Sequence, residues 1–182
     1  MTRCTGLVLA GAGARGAYEA GALSVLLPEL EEIDQRPTVL VGTSAGALNA
    51  AYLAFRAGQP ADEAAGELLE LWLRMGRRDV FTWSPIPAVQ MALLELGLGR
   101  RPGSIVDTRP LHRTLDDAID DWGMISRNVD AGHLDALAIV TTSTSTGHTV
   151  VWVEGGRSGA GGERELPDFD VKRGIEYRRA LG

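Results

Sequence analysis

The segment Gly42–Gly46 carries the residue types and spacing that can make a serine hydroxyl a nucleophile. It reads G-x-S-x-G with Ser44 at its centre, between an apolar run, Thr38–Val41, and a run of small residues, Ala45–Ala57. A serine on such a strand–turn–helix elbow projects its hydroxyl away from the chain, towards the amides that begin the helix. We predict that Ser44 attacks a carbonyl carbon and that its neighbours form the elbow: Gly42, Thr43, Ala45 and Gly46.

A second glycine-rich segment, Gly11–Gly16, reads G-x-G-x-x-G and follows another short apolar run. One interpretation is a dinucleotide-binding loop, which needs an acidic residue at the end of the second strand, about 20 residues further on. Glu31, Glu32 and Asp34 lie near that distance but precede the second strand, which ends in Gly42. The dinucleotide interpretation therefore lacks its confirming residue, and a nucleotide-binding module stays open only as an alternative.

The other interpretation of this loop is that it stabilises negative charge. Backbone amides that carry no large side chains can converge on the oxygen of a tetrahedral intermediate. Because two glycine turns at the ends of parallel strands lie side by side, we expect the loop next to Ser44, with two helix N-termini facing one site. Arg15 then either holds an anionic group of the substrate or pairs with a carboxylate of the protein. The residues expected to form the oxyanion hole are Gly11, Ala12, Gly13, Ala14, Arg15 and Gly16.

Strands and helices must alternate to position these two turns, so we predict the α/β fold class. Apolar runs predict strands at Cys4–Ala10 and Thr38–Val41, and a hairpin is predicted from Asp135–Thr142 and His148–Val153. Pro28 is expected to kink the first helix or end it early. Spacings of three and four residues predict the core face of that helix as Tyr18, Gly21, Ala22, Val25, Leu26 and Leu30.

Further helices complete the predicted architecture, a layered α/β/α domain over residues 1–182 with a mainly parallel central sheet. The last of them is expected to begin at Asp170 and to continue to Leu181. The others are Ala61–Met75, Ala88–Leu96 and Thr108–Asp121.

The composition and charge of the chain exclude several classes of protein. Its 182 residues are 45% hydrophobic and 23% charged, which excludes an intrinsically disordered chain. The net charge of −6 argues against a nucleic-acid partner. The single cysteine, Cys4, excludes an intrachain disulfide and a cysteine-based zinc site, and the sequence implies neither a metal nor another cofactor. No apolar run reaches the roughly 20 residues of a membrane span, and we expect a cytoplasmic protein.

The order of strand, glycine-rich loop, helix, strand, G-x-S-x-G elbow and helix resembles the patatin-like phospholipase family. Ala12 stands where the loop of that family has its middle glycine, a mild change because the loop acts through backbone amides. The segment Ile105–Leu111 and the hairpin Ala138–Val153 are also similar to the family. The resemblance implies hydrolysis of acyl esters, with a lipid or a related ester as substrate and a peripheral membrane contact as an option. It implies no oligomeric state.

The resemblance also implies a Ser–Asp dyad, whose aspartate lies in a D-G-G or D-G-A motif late in the domain. This sequence contains no Asp-Gly dipeptide, and Gly174–Gly182 resembles the stretch just before that motif. We therefore expect the fold to be incomplete at its C-terminus and the base to lie beyond Gly182, so that these 182 residues alone turn over little ester. A catalytically inactive lipid-binding or regulatory relative is the remaining alternative.

Other residues of the chain are less favoured as the base or as contacts with lipid. The segment Phe81–Pro87 has the aromatic and proline content of an exposed lip beside a lipid, although core or edge packing is the favoured explanation of its tryptophan. The less favoured bases are His112, His133, His148, Asp168 and Asp170.

Overall fold

The computed structural model of the chain describes residues 5–11, 13–75, 82–83, 106–107, 109–156, 169–170 and 175–179. In chain order its elements are β1 (Gly6–Leu9), a short 3-10 helix (Gly13–Arg15), α1 (Gly16–Glu32), β2 (Val39–Thr43), α2 (Ala45–Phe55), α3 (Ala61–Arg74), β3 (Thr82–Trp83), β4 (Val106–Asp107), α4 (Arg109–Ala118), α5 (Gly123–Asp130), β5 (Ala136–Thr142), β6 (Thr149–Gly155), β7 (Phe169–Asp170) and β8 (Ile175–Arg179). Two compact units divide the chain: one comprises Met1–Trp72 and Asp121–Gly182, the other Leu73–Asp120.

The first unit contains a six-stranded sheet with the strand order β1-β2-β5-β6-β8-β7. The strands β1, β2 and β5 are parallel, and β6 forms the predicted antiparallel hairpin with β5. Strand β8 is parallel to β6, and β7 is antiparallel to β8. Leu9 pairs with Gly42, so β1 and β2 end at the same edge of the sheet, where both glycine-containing turns begin. The mainly parallel α/β sheet predicted from the sequence is confirmed.

Helix α2 forms the centre of the core on one face of this sheet. It packs against β1, β2, β5, α1 and α5. Every residue from Asn49 to the end of α2 is buried, and the alanines at 50, 51 and 54 let neighbouring backbones approach closely. The helix predicted from the run of small residues is therefore confirmed, with its end at Phe55.

Helix α1 buries a different face from the one predicted. Its buried residues are Gly16, Ala20, Leu23 and Leu27, whereas Tyr18 is 80% exposed and Val25 is 64% exposed. Apolar residues repeat at helical spacing on both sides of α1, so periodicity alone cannot choose the side that meets the core. Of the two effects expected of Pro28, early termination does not occur, because α1 continues to Glu32.

The last described segment is a strand where the sequence was expected to begin a helix. Residues 169–170 and 175–179 form β7 and β8, and β8 pairs along β6 from Ile175 to Arg179. The alternation of Ile175 and Tyr177 with polar residues suits an extended chain, and the second edge of β6 supplies its backbone hydrogen bonds. Contacts distant in the sequence therefore decide this element.

The second unit is described only in part. Thr82 pairs with Asp107 and Trp83 with Val106 in a short antiparallel ladder of β3 and β4, and α4 confirms the helix predicted near Thr108–Asp121. The predicted helix Ala88–Leu96 and the side chains of Phe81–Pro87 lie outside the described residues. In the described part of the chain, no helix combines the length and the apolar character needed to cross a membrane.

Candidate active site

Ser44 occupies the single residue between β2 and α2 and has a strained backbone. Its angles are φ 53° and ψ −125°, a conformation that a residue with a side chain rarely adopts and that costs roughly 1–3 kcal/mol. The side chain is exposed, and the Ser44 carbonyl accepts a hydrogen bond of 3.0 Å from Ala47 N in the first turn of α2. The sharp turn thus directs the Ser44 side chain out of the fold at the edge of the sheet.

The two glycines of the elbow are required by close backbone contacts. A Cβ at Gly42 would lie 2.4 Å from the Gly46 carbonyl oxygen, and a Cβ at Gly46 would lie 2.3 Å from the Leu9 carbonyl oxygen. Neither neighbour is a flexible side chain that could move away. The G-x-S-x-G spacing therefore lets α2 begin directly against the ends of β1 and β2.

The glycine-rich loop begins against Ser44. A Cβ at Gly11 would lie 2.6 Å from Ser44 Cβ and 3.4 Å from Ser44 Oγ. The loop then turns at Gly13, whose φ of 56° favours glycine, and passes through the 3-10 helix into α1. Arg15 is exposed and forms no ion pair with the described residues. Ala12 lies outside the described residues.

The other end of the loop, Gly16, contacts two residues that sequence reasoning missed. The Asn49 amide nitrogen donates a hydrogen bond of 3.1 Å to the Gly16 carbonyl oxygen, and Trp72 Nε1 donates one of 2.7 Å to Asn49 Oδ1. A Cβ at Gly16 would lie 2.5 Å from the Trp72 ring and 3.0 Å from Ala45 Cβ. The available signal was a single asparagine in the otherwise apolar sequence of α2.

The structure separates two of the candidate bases from Ser44. His133 comes before β5, at the opposite end of the parallel strands from Ser44. The length of the extended strand β2, about 17 Å, separates the two ends. Asp170 lies on β7, four strands from β2 or about 19 Å across the sheet. The backbone at both positions therefore lies far beyond hydrogen-bond distance of Ser44.

The remaining candidate bases differ in where they lie. His148 precedes β6 at the same end of the sheet as Ser44 but two strands away, about 10 Å across the sheet. His112 belongs to the second unit, and Asp168 lies outside the described residues. In the described part of the chain, Ser44 Oγ forms no hydrogen bond.

The described ionisable groups with shifted pKa values lie away from this edge. Burial raises the pKa of Tyr52 on α2, whose hydroxyl donates a 3.2 Å hydrogen bond to Glu67. The hydrogen bond from Arg127 lowers the pKa of Asp121 at the start of α5. Among the described residues, no cluster of histidine, cysteine or acidic side chains could hold a metal ion.

Fold and site together define an α/β protein with an exposed serine on a strand–turn–helix elbow beside a glycine-rich loop. The sequence profile of the family described as patatin-like phospholipase matches residues 7–163. The chain belongs to this family, which supports lipid acyl hydrolysis as its kind of chemistry. No curated protein and no solved structure gives a significant match.

Proposed function

We propose that this protein hydrolyses lipid acyl esters with Ser44 as the nucleophile and the Gly11–Gly16 loop as the oxyanion hole. The observation that carries the proposal is the strained, exposed Ser44 in contact distance of Gly11. Family membership supports the lipid character of the substrate. The strain supports a functional role, because a φ of 53° at a serine persists only where the surrounding structure enforces it.

The proposed reaction proceeds by covalent catalysis. Ser44 Oγ forms a bond to the ester carbonyl carbon while its proton passes to an aspartate, and the carbonyl electron pair moves to the oxygen. The loop amides receive that negative charge. Collapse of the intermediate expels the alcohol, which takes up the proton, and water then releases the acyl group by the same steps. In this proposal the dyad aspartate lies outside the described residues.

In this proposal the protein is cytoplasmic and binds the membrane surface peripherally to reach its lipid substrate. Tyr18 supports this part of the proposal, since its 80% exposed side chain lies in the first turn of α1, directly after the glycine-rich loop. Sedimentation with phosphatidylcholine vesicles tests it. Tyr18→Ser should reduce the bound fraction while hydrolysis of a soluble ester continues, and equal sedimentation of both proteins would contradict it.

The hydrolase proposal is tested on the complete gene product with p-nitrophenyl butyrate and with phosphatidylcholine vesicles. Ser44→Ala should abolish release of nitrophenol and of fatty acid. Ser24→Ala is the matched control, because the Ser24 hydroxyl only donates a 2.8 Å hydrogen bond within α1 to the Gly21 carbonyl. Hydrolysis that persists in Ser44→Ala would refute the proposal.

Two other outcomes would replace the proposal. An inactive lipid-binding relative would bind vesicles without releasing fatty acid from them. A nucleotide-binding module would show a thermal shift with a dinucleotide that Ser44→Ala leaves unchanged. The end of β2 disfavours this second outcome, because Thr43 stands where a dinucleotide site requires an acidic residue.

A further inference from the structure

A buried amide, Asn49, connects the helix that begins after Ser44 to the far end of the glycine-rich loop. Asn49 is 0% exposed and lies five positions after Ser44 on α2. Its amide nitrogen donates to the Gly16 carbonyl oxygen and to Glu19 Oε2, each at 3.1 Å. A buried amide held by this many partners is costly to disturb, since each lost partner leaves a desolvated polar group.

The partners of Asn49 allow one orientation of its amide. An indole N–H can only donate a hydrogen bond, so Trp72 fixes the side of the amide that carries Oδ1. Carbonyl and carboxylate oxygens only accept, so Gly16 and Glu19 fix the side that carries the nitrogen. Both amide hydrogens and one acceptor position are therefore used, and the side chain cannot turn over without losing all three bonds.

The glycine-rich loop is consequently anchored at both ends to the segment around Ser44. Its first residue, Gly11, lies against Ser44, and its last residue, Gly16, is held by Asn49 and covered by the Trp72 ring. Gly16 also lies close to Ala45, the residue after Ser44, since a Cβ at Gly16 would be 3.0 Å from Ala45 Cβ.

We propose that Asn49 is a positioning residue that holds the oxyanion-hole amides at the distance Ser44 requires, with Trp72 orienting its amide. This inference rests on the proposed hydrolase function. Asn49 does not touch the reacting atoms, so its removal acts on the transition state through the position of the loop. A displacement of about 1 Å in an active site lowers the rate roughly 100-fold.

The test measures how fast Ser44 reacts with a fluorescent fluorophosphonate in the complete gene product. In that reaction Ser44 Oγ passes its proton to the proposed aspartate and forms a bond to phosphorus while fluoride leaves. The phosphoryl oxygen gains the charge that the loop amides would receive. Asn49→Leu removes the three hydrogen bonds at similar volume. Trp72→Phe keeps an aromatic ring over Gly16 and removes only the donor to Asn49 Oδ1.

Tyr52→Phe is the matched control on the same helix. It removes one part-buried hydroxyl, whose 3.2 Å hydrogen bond is donated to Glu67 and involves neither Asn49 nor Gly16. The control separates a loss of stability from a loss of positioning, because it removes a hydrogen bond of α2 and leaves the hydrogen bonds of Asn49 and Gly16 in place.

We expect the rate constant of labelling to fall 10- to 100-fold in Asn49→Leu, by a smaller factor in Trp72→Phe, and not at all in Tyr52→Phe. With p-nitrophenyl butyrate, kcat per labelled site should fall while KM changes little, because a charge-stabilising interaction acts in the transition state. A merely structural role would lower the fraction of chains that label and leave both constants of the remaining chains unchanged.

Two results overturn the inference in distinguishable ways. Equal labelling rates in the wild type and Asn49→Leu refute the positioning role and leave the hydrolase proposal intact. A wild-type protein that does not label at Ser44 refutes the hydrolase proposal and the inference with it. If Asn49→Leu does not fold, Trp72→Phe provides the same comparison, and an unchanged rate in that variant is the refuting result.

Discussion

Replacing Gly11 with alanine tests whether the contact between the glycine-rich loop and the elbow sets the reactivity of Ser44. The added Cβ would lie 2.6 Å from Ser44 Cβ and 3.1 Å from the Thr43 carbonyl oxygen. Ordinary van der Waals contact begins at 3.4 Å. The Gly11 and Ser44 Cβ atoms, 2.6 Å apart, must therefore separate by about 0.8 Å. The backbone of Thr43 lies in β2 and cannot rotate away, so the loop has to move.

A separation of this size should affect reactivity more than stability. Misplacement by about 1 Å lowers a rate roughly 100-fold, so the fluorophosphonate labelling rate of Gly11→Ala should fall about 10- to 100-fold. Both Gly11 and Ser44 are exposed, so relaxation of the loop should limit the loss in unfolding free energy to about 1 kcal/mol. Labelling kinetics and urea denaturation of the same samples measure the two effects.

Gly21→Ala is the control for this prediction. A Cβ at Gly21, within α1, has nothing within 4 Å. Alanine should therefore stabilise the helix by about 0.5–1 kcal/mol and leave the labelling rate unchanged. If Gly11→Ala labels as fast as Gly21→Ala, the loop does not act on Ser44 and the reasoning is refuted.

Three further predictions concern the elements that support the site. Gly46→Ala places a Cβ 2.3 Å from the Leu9 carbonyl oxygen and should cost about 1–3 kcal/mol in urea denaturation; an unchanged midpoint would contradict this. Glu31→Ala should lower the free energy of unfolding by about 1 kcal/mol, because Glu31 accepts hydrogen bonds from Arg36 at 2.8 Å and from Ala61 N at 2.9 Å. Truncating an exposed glutamate of α1 should change the free energy of unfolding little. Burial raises the pKa of Tyr52 when the protein is folded, so stability should be intact below pH about 10 and fall as the pH rises through the folded value. In Tyr52→Phe, thermal unfolding between pH 8 and 11 should show a smaller alkaline loss, and an equal loss would contradict the assignment.

Local sequence signals were sufficient for the elbow and the loop. The close backbone contacts at Gly42 and Gly46 exclude a side chain, and this is why G-x-S-x-G between a strand and a helix could be recognised without a structure. The register of β1 on β2 then places Leu9 beside Gly42 and brings Gly11 to Ser44. Here the local pattern and the parallel sheet agree.

Elements that depend on distant contacts could not be predicted in the same way. The buried face of α1 is set by the position of α2 and the sheet, and Val25 is exposed although its spacing suits a core position. The strand β8 forms because β6 offers it a free edge. Asn49 went unrecognised for a related reason: its partners Gly16 and Trp72 are 33 and 23 residues away in the chain.

The site of covalent modification tests most directly whether Ser44 is the nucleophile. The complete gene product is labelled with a fluorophosphonate, digested, and mapped by mass spectrometry. We expect one adduct per chain, on the peptide that contains Ser44, and none in Ser44→Ala. An adduct on another residue, or a labelled Ser44→Ala protein, would contradict it.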